Sequence, residues 1–397
     1  MANEHSLIST IAVSLSFAFL GGTLANRLRL PPLIGYILAG LVVGPFTPGF
    51  VADQKLAPQL AEIGVILLMF GVGMHFSIKD LWAVRAVAIP GAVGQMAVAT
   101  AMGLGAAMLW GWPIAAGFVF GLSLSVASTV VLLRALEARG LVKSTGGRIA
   151  IGWLVVEDLA MVLALVILPA FGPVPEGGVV VPIWQVIGIT LLKVVLFTAI
   201  ILVIGPKVFP WILQRIENTQ SGELFILAVV ALSLGVAYGS AELFGVSFAL
   251  GAFFAGIVVH ESDLSHKAAK QLQPLQDVFG ALFFTSVGML FDYRILLQQP
   301  LSVLMVVGII VLGKSATAYG LVRLLRKPHG DALRISASLA QIGEFSFILA
   351  ALGLKLELLP AVGQSLIVAG AILSIALNPL LFWGVEKHLS TFTRKST

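Results

Sequence analysis

The sequence predicts an all-α polytopic membrane protein of about thirteen spanning helices, arranged as two inverted six-helix repeats joined by a connector helix. Three observations carry this prediction. The chain is 58% hydrophobic and only 11% charged over 397 residues, with a mean hydropathy of +1.03, a composition that belongs to membrane proteins. Basic residues fall on alternate loops. Three segment pairs echo one another at a single offset.

Apolar stretches run over about 6–26, 31–48, 56–77, 86–110, 113–135, 148–171, 182–206, 222–243, 246–260, 275–291, 300–324, 333–354 and 360–385. A spanning helix needs about 20 mostly apolar residues. Lipid offers no outside partner to backbone groups, and these stretches lack the alternation of barrel strands, so each is predicted helical. The first lacks a basic leader and a small-residue cleavage site, so it reads as a retained helix. Short polar connections predict one transmembrane transport domain over 1–397.

Placing the N-terminus outside puts nineteen of the 24 Lys and Arg residues on inner loops and the inner tail, among them Arg29, Arg134, Arg139 and Lys327. Only Lys55, Arg294 and Lys355 fall on the opposite side, while Lys193 and Lys314 lie within spans. The bias predicts the N-terminus outside, the C-terminus in the cytoplasm and residence in the cell (inner) membrane. It also accounts for the net charge of +5 through loops facing anionic lipid, so membrane lipid is the partner and no nucleic acid is required.

"GYILAGLVVG" from Gly35 echoes "GAFFAGIVVH" from Gly251, "VGMHFSIKDL" from Val72 echoes "VGMLFDYRIL" from Val287, and "SLSVASTVVLL" from Ser123 echoes "SLAQIGEFSFI" from Ser338, at offsets of 215 or 216. Helices one to six (about 6–171) therefore match helices eight to thirteen (about 222–385), with 182–206 as connector. An odd displacement of seven helices inverts one half against the other, which is an architecture of secondary transporters. The third pair puts small, polar and Gly residues in mid-span, including Ser125, Ser128, Thr129, Gln341 and Glu344. These stretches are predicted to be crossed, broken helices whose free N–H and C=O groups line a cavity.

Glu157 and Asp158 lie roughly nine residues, or about 14 Å, inside their helix, near the middle of a ~30 Å apolar core. Lys314 and both predicted breaks fall at similar depth. Intramembrane ionisable groups are expensive and mark ion pathways. Adjacent carboxylates in a low-dielectric cavity cannot easily both ionise, so at least one exchanges protons. A carboxylate that holds either a proton or a bare monovalent cation exchanges the two by competition. Neighbours on a helix point about 100° apart, which separates the roles: Asp158 binds the ion and proton, with oxygens from Ser128 and Thr129 completing the shell that a hard cation prefers, and Glu157 pairs with Lys314. Lys193 is a rival partner for Glu157. Glu344 is read as a cavity acid or a helix-dipole compensator, and Glu62 as lining an outer funnel or capping helix packing. The stretch "HESDLSHKAAKQLQPLQD" with Asp277 is read as a solvated inner loop. No cofactor is expected beyond the transported potassium or sodium and protons. The chain has no cysteine and no HExxH or GxSxG motif, so it is read as a transporter and not an enzyme.

On "PPLIGYILAGLVVGPF", "LAEIGVILLMFGVGMHF", "LSLSVASTVVLLRAL", "VVEDLAM", "SFALGAFFAGIVVHES", "FGALFFTSVGML" and "LAQIGEFSFIL", nearly the whole chain resembles the membrane domain of the Kef-type monovalent cation/proton antiporters of the second cation/proton antiporter family, in its YbaL-like branch. The resemblance implies a NapA-like fold, a homodimer, elevator-type alternating access and exchange of potassium, or of sodium, for protons. The family's ion-binding aspartate falls on Asp158 and its membrane lysine on Lys314. Kef proteins typically carry Gln before this aspartate and double-acid sodium exchangers carry Asp, so Glu157 departs from both. Relatives often carry a C-terminal nucleotide-binding domain after the last helix; this sequence stops at "TFTRKST", so the resemblance implies either a piece of a longer chain, with a cytoplasmic regulatory domain or subunit as partner, or a protein without that control. Two alternatives remain at this point: a sodium-coupled organic-anion symporter of similar architecture, and a cation channel, for which no filter-like sequence is visible.

Overall fold

The computed structural model describes residues 6–28, 30–48, 56–75, 78–137, 139–172, 183–245 and 247–395. Arg29, Lys55 and Pro182, the expected start of the connector, lie outside them. Among the described residues the structure is helical throughout. In chain order come α1 (Ser6–Arg27), α2 (Pro32–Val42), α3 (Leu56–His75), α4 (Ile78–Leu109), α5 (Ile114–Ser125), α6 (Thr129–Glu137), α7 (Thr145–Ile167, closed by a 3₁₀ turn at Leu168–Phe171), α8 (Ile183–Glu217) and α9 (Gly222–Phe244). Then follow α10 (Phe248–His260), α11 (Ser265–Met289), α12 (Ile295–Gln298), α13 (Pro300–Gly308), a π-helical turn at Ile309–Gly313, α14 (Lys314–Leu324), α15 (His329–Ser338), α16 (Glu344–Lys355) and α17 (Ala361–Lys395). Grouping α5 with α6, α12 to α14, and α15 with α16 recovers thirteen segments. Among the described residues, seven helices are long and apolar enough to cross a membrane, and four shorter apolar helices accompany them. The chain is a multi-pass membrane protein.

Local chemistry sets several boundaries. Ser221 Oγ accepts the Leu224 amide and Ser247 Oγ the Leu250 amide, capping α9 and α10. Gly245, at φ 65°, closes α9 in the left-handed conformation that only glycine adopts without strain. One boundary corrects the sequence reading. The stretch expected to be a solvated loop is mostly helix, because α11 begins at Ser265 and carries exposed Asp277 along it. Ala268 and Leu272, one turn apart, are fully buried and supply an apolar stripe, while Lys267 pairs with Glu217.

The chain divides into two compact units, one from described residues within 1–21, 35–76 and 162–289, the other from those within 22–34, 77–161 and 290–397. In the first, the repeat is written in glycine. A Cβ at Gly40 would strike the Thr285 carbonyl, and one at its repeat mate Gly256 would strike the Phe70 carbonyl. A Cβ at Gly288 would meet the Ile37 carbonyl, and one at Gly73 the Phe253 carbonyl. Adding 216 to Ile37 and Gly40 gives Phe253 and Gly256, and adding 215 to Phe70 and Gly73 gives Thr285 and Gly288, so the two crossings exchange under one pseudo-twofold relation. Small residues here let two helix backbones touch.

In the second unit a buried apolar cluster of Val87, Ala92, Leu132, Ile149, Trp153 and Leu154 backs the first break, and Ile335 and Leu339 join it beside the second. Gly40→Val and Gly256→Val are each expected to destabilise the protein by about 1–3 kcal/mol or more through overpacking. Gly239, which has open space around it, should tolerate Ala. Thermal unfolding of detergent-purified protein, followed by size-exclusion chromatography, checks the pair against the control.

Candidate functional site: two helix breaks around buried acids

Helix α5 stops at Ser125 because Val126 is extended (φ −96°, ψ 135°), and α6 restarts at Thr129. Helix α15 stops at Ser338 and α16 restarts at Glu344, after an extended Gly343. The two restarts are repeat mates, 215 residues apart. Gly343 lies directly on Ser128, leaving no room for a side chain. The crossing is tied by one amide: Gln341 Oε1 accepts the Ser128 N–H at 2.9 Å, while Gln341 Nε2 donates to the carbonyls of Ser128 at 3.1 Å and Ser338 at 3.3 Å. Both predicted breaks are present and face each other.

Three acids and one lysine surround this crossing, all buried. Glu157 on α7 is fully satisfied: Oε2 accepts the Ala127 N–H at 2.8 Å and Oε1 the Trp153 indole N–H at 3.1 Å. Its neighbour Asp158 differs. Asp158 Oδ2 accepts the Thr129 hydroxyl at 3.1 Å, whereas Oδ1, shielded from solvent, has no protein partner. Glu344 Oε2 accepts the Ser128 hydroxyl at 3.3 Å. Glu344 also occupies the first turn of α16, where the helix dipole favours an anion.

Lys314 follows the π-helical turn, a distortion common at functional positions. Its ammonium donates to the Gln341 carbonyl at 2.9 Å. The contact ion pair expected with Glu157 is not formed: ion pairs within 4.0 Å among the described residues are Lys267–Glu217, Arg294–Asp292 and Arg334–Glu386. Glu157 and Lys314 still interact coulombically across a gap. The nearer demand on the lysine is a carbonyl orphaned by the second break.

The structure therefore brings Glu157, Asp158, Ser128, Thr129, Lys314, Gln341 and Glu344 together in one unit. Ser125 borders the cluster with its hydroxyl turned back to the Leu122 carbonyl at 2.7 Å. Ser128 is spoken for by Glu344, so of the two hydroxyls expected beside Asp158 only Thr129 reaches it. Glu62 and Lys193 are exposed residues of the other unit. The Lys193 ammonium approaches Gly245 at the C-terminal cap of α9, where it favours a helix dipole. Sequence reasoning missed Gln95, Trp153 and Asn378. Asn378 Nδ2 donates to the Ala337 carbonyl at 2.8 Å, another group freed where α15 ends.

The chain matches the family described as Sodium/hydrogen exchanger, transmembrane, over residues 15–383. It belongs to that family. Among relatives of this exchanger, an Escherichia coli protein described as "Putative cation/proton antiporter YbaL" is 60% identical over 392 residues, covering 98% of this chain and 70% of that protein. An Arabidopsis thaliana protein described as K(+) efflux antiporter 4 is 32% identical over 378 residues, covering 95% of this chain and 63% of the plant protein. The solved sodium proton antiporter MjNhaP1 from Methanocaldococcus jannaschii superimposes with a TM-score of 0.73 at 17% identity, over 96% of this chain and 98% of that one. That likeness shows the fold: an antiporter fold with inverted repeats and crossed breaks, as the sequence predicted.

Gln341→Ala strips three hydrogen bonds and leaves the Ser128 amide and the Ser338 carbonyl buried without the partner each has here, while the Ser128 carbonyl keeps the Leu132 N–H at 3.1 Å. Each orphan costs about 1–3 kcal/mol, so the variant should lose folded protein or unfold at markedly lower temperature. Thermal unfolding in detergent is the check.

Proposed function

We propose that this exchanger moves a monovalent cation, potassium, against protons by alternating access, with Asp158 holding one or the other. The observation that carries the reading is Asp158 Oδ1, a buried carboxylate oxygen without a donor inside a cluster of three acids and one lysine. An uncompensated carboxylate charge in such surroundings costs several kcal/mol. A proton neutralises it, and so does a desolvated monovalent cation, but one oxygen does not hold both. Free passage of the empty, charged site across an apolar barrier is disfavoured, so the site crosses when filled and ion flux is coupled to proton flux.

Oxygen is the right donor for this cargo. Alkali cations are hard and prefer carboxylate, hydroxyl and carbonyl ligands, and Asp158 with Thr129 supplies the first two. Potassium over sodium is supported by the name of the plant relative, whereas the structural neighbour is named for sodium; the assay below separates them. All cluster residues belong to one unit, which suits transport in which the site travels as a body. The bias of basic residues supports an outside N-terminus and a cytoplasmic C-terminus in the cell membrane. The family resemblance supports a homodimer.

In proteoliposomes loaded with a pH-sensitive dye, potassium added against a proton gradient should dissipate it, and Asp158→Asn should abolish the response. Competition further predicts that, on the acid limb, the half-saturating cation concentration rises about tenfold per unit fall in pH while the maximal rate holds. Equal transport by wild type and Asp158→Asn, or a half-saturation indifferent to pH, would overturn the reading; a response to sodium alone would replace the cation.

A further inference from the structure

The polar groups around the first break close into a ring. Gln95 on α4 donates from Nε2 to the Ser125 carbonyl at 3.0 Å, and its Oε1 receives the Trp153 indole N–H at 3.4 Å. The same N–H reaches Glu157 Oε1 at 3.1 Å, and Glu157 Oε2 accepts the Ala127 N–H at 2.8 Å. The path leaves the backbone at Ser125 and returns two residues later. It pairs two groups that the break strips of helical partners, and Gln95, Trp153 and Glu157 are all fully buried.

Packing fixes the ring's central member. A Cβ at Gly91, one turn before Gln95, would run into the six-membered ring of Trp153, so glycine makes the slot in which the indole lies. The ring also reaches the exchange site through the chain. Ala127 is two residues from Thr129, whose hydroxyl is the one protein donor to Asp158 among the described residues. A shift of the Ala127 amide therefore moves that hydroxyl. Glu157 and Asp158 are adjacent in sequence and opposite in bonding, one with both oxygens engaged and the other with one left over.

We propose that Gln95 and Trp153 are positioning residues that hold Glu157 on the Ala127 amide, setting the first break beneath Asp158, and that Glu157 is a fixed anion instead of a carrier of transported protons. The second break is secured separately by Gln341, Lys314 and Asn378. This rests on the reading of Asp158 as the exchange site.

The test uses the full chain in proteoliposomes. Trp153→Phe removes the N–H and keeps a ring in the Gly91 slot; Gln95→Met removes both amide bonds and keeps the volume. Trp153→Phe is expected to raise the half-saturating potassium concentration roughly tenfold, as loss of a hydrogen bond to a charged group would, and Gln95→Met, which loses bonds to neutral groups, to raise it about three- to tenfold, each with the maximal rate held within about twofold. Proton-to-cation ratios from reversal potentials should match wild type in Glu157→Gln. Thermal unfolding of each variant identifies any that fail to fold, and Gln95→Met then stands in for Trp153→Phe. Wild-type half-saturation in the folded ring variants, or one proton fewer per cation in Glu157→Gln, overturns the proposal. If Asp158→Asn exchanges like wild type, the site reading fails and the proposal with it. If Asp158→Asn is inactive while the ring variants match wild type, the proposal alone fails.

Discussion

In an apolar bilayer a backbone N–H or C=O has no solvent to turn to, and two helices of this protein break in the middle of their spans. That constraint organises the polar interior. The Ser125 and Ala127 groups go to Gln95 and Glu157, the Ser128 groups to Gln341, the Gln341 carbonyl to Lys314 and the Ala337 carbonyl to Asn378. Each partner is a buried polar or charged side chain that an unbroken bundle would not need. Once they are present, the interior is polar enough to hold an acid with an oxygen to spare. Asp158 is that acid.

Symmetry supplies the frame and asymmetry the chemistry. In one unit the glycine crossings at Gly40 with Gly288 and at Gly73 with Gly256 repeat each other almost residue for residue. In the other, Thr129 and Glu344 are repeat mates that begin equivalent half-helices, yet one is a hydroxyl that donates to Asp158 and the other an acid that accepts from Ser128. The repeat positions of Glu157 and Asp158, around Ile372, Leu373 and Ser374, carry no acid. Duplicated backbones thus make the crossing, and the acid with an unpartnered oxygen stands on one repeat alone.

Much of this was legible in the sequence because membranes enforce simple rules. Thirteen segments followed from apolar length, and both breaks followed from Ser, Gly and Gln standing in mid-span at one offset. Glu157, Asp158 and Lys314 stood out because charges there are costly. The partners of those charges were less legible, since hydrogen bonds depend on which helix faces which. Lys314 was expected on Glu157 and donates to the Gln341 carbonyl, a group that becomes an acceptor only once the helix unwinds. Gln95 and Trp153 carry no signal in a linear reading: a lone amide and a lone indole in apolar helices have many structural uses. Their value shows only when α4 and α7 come together around the break. The start of α11 was misread because its polar first turns outweigh, in hydropathy, the stripe of Ala268 and Leu272.

The central claim is that a desolvated alkali cation sits against Asp158 Oδ1 at the crossing. The most direct measurement locates such an ion. Rubidium is an electron-rich stand-in for potassium, and an anomalous map from crystals grown in rubidium at alkaline pH should show one peak in the second unit, within bonding distance of Asp158 and beside Thr129. That peak should fade as the pH is lowered. A peak elsewhere in the bundle, or an Asp158 site equally occupied at low pH, would contradict the account.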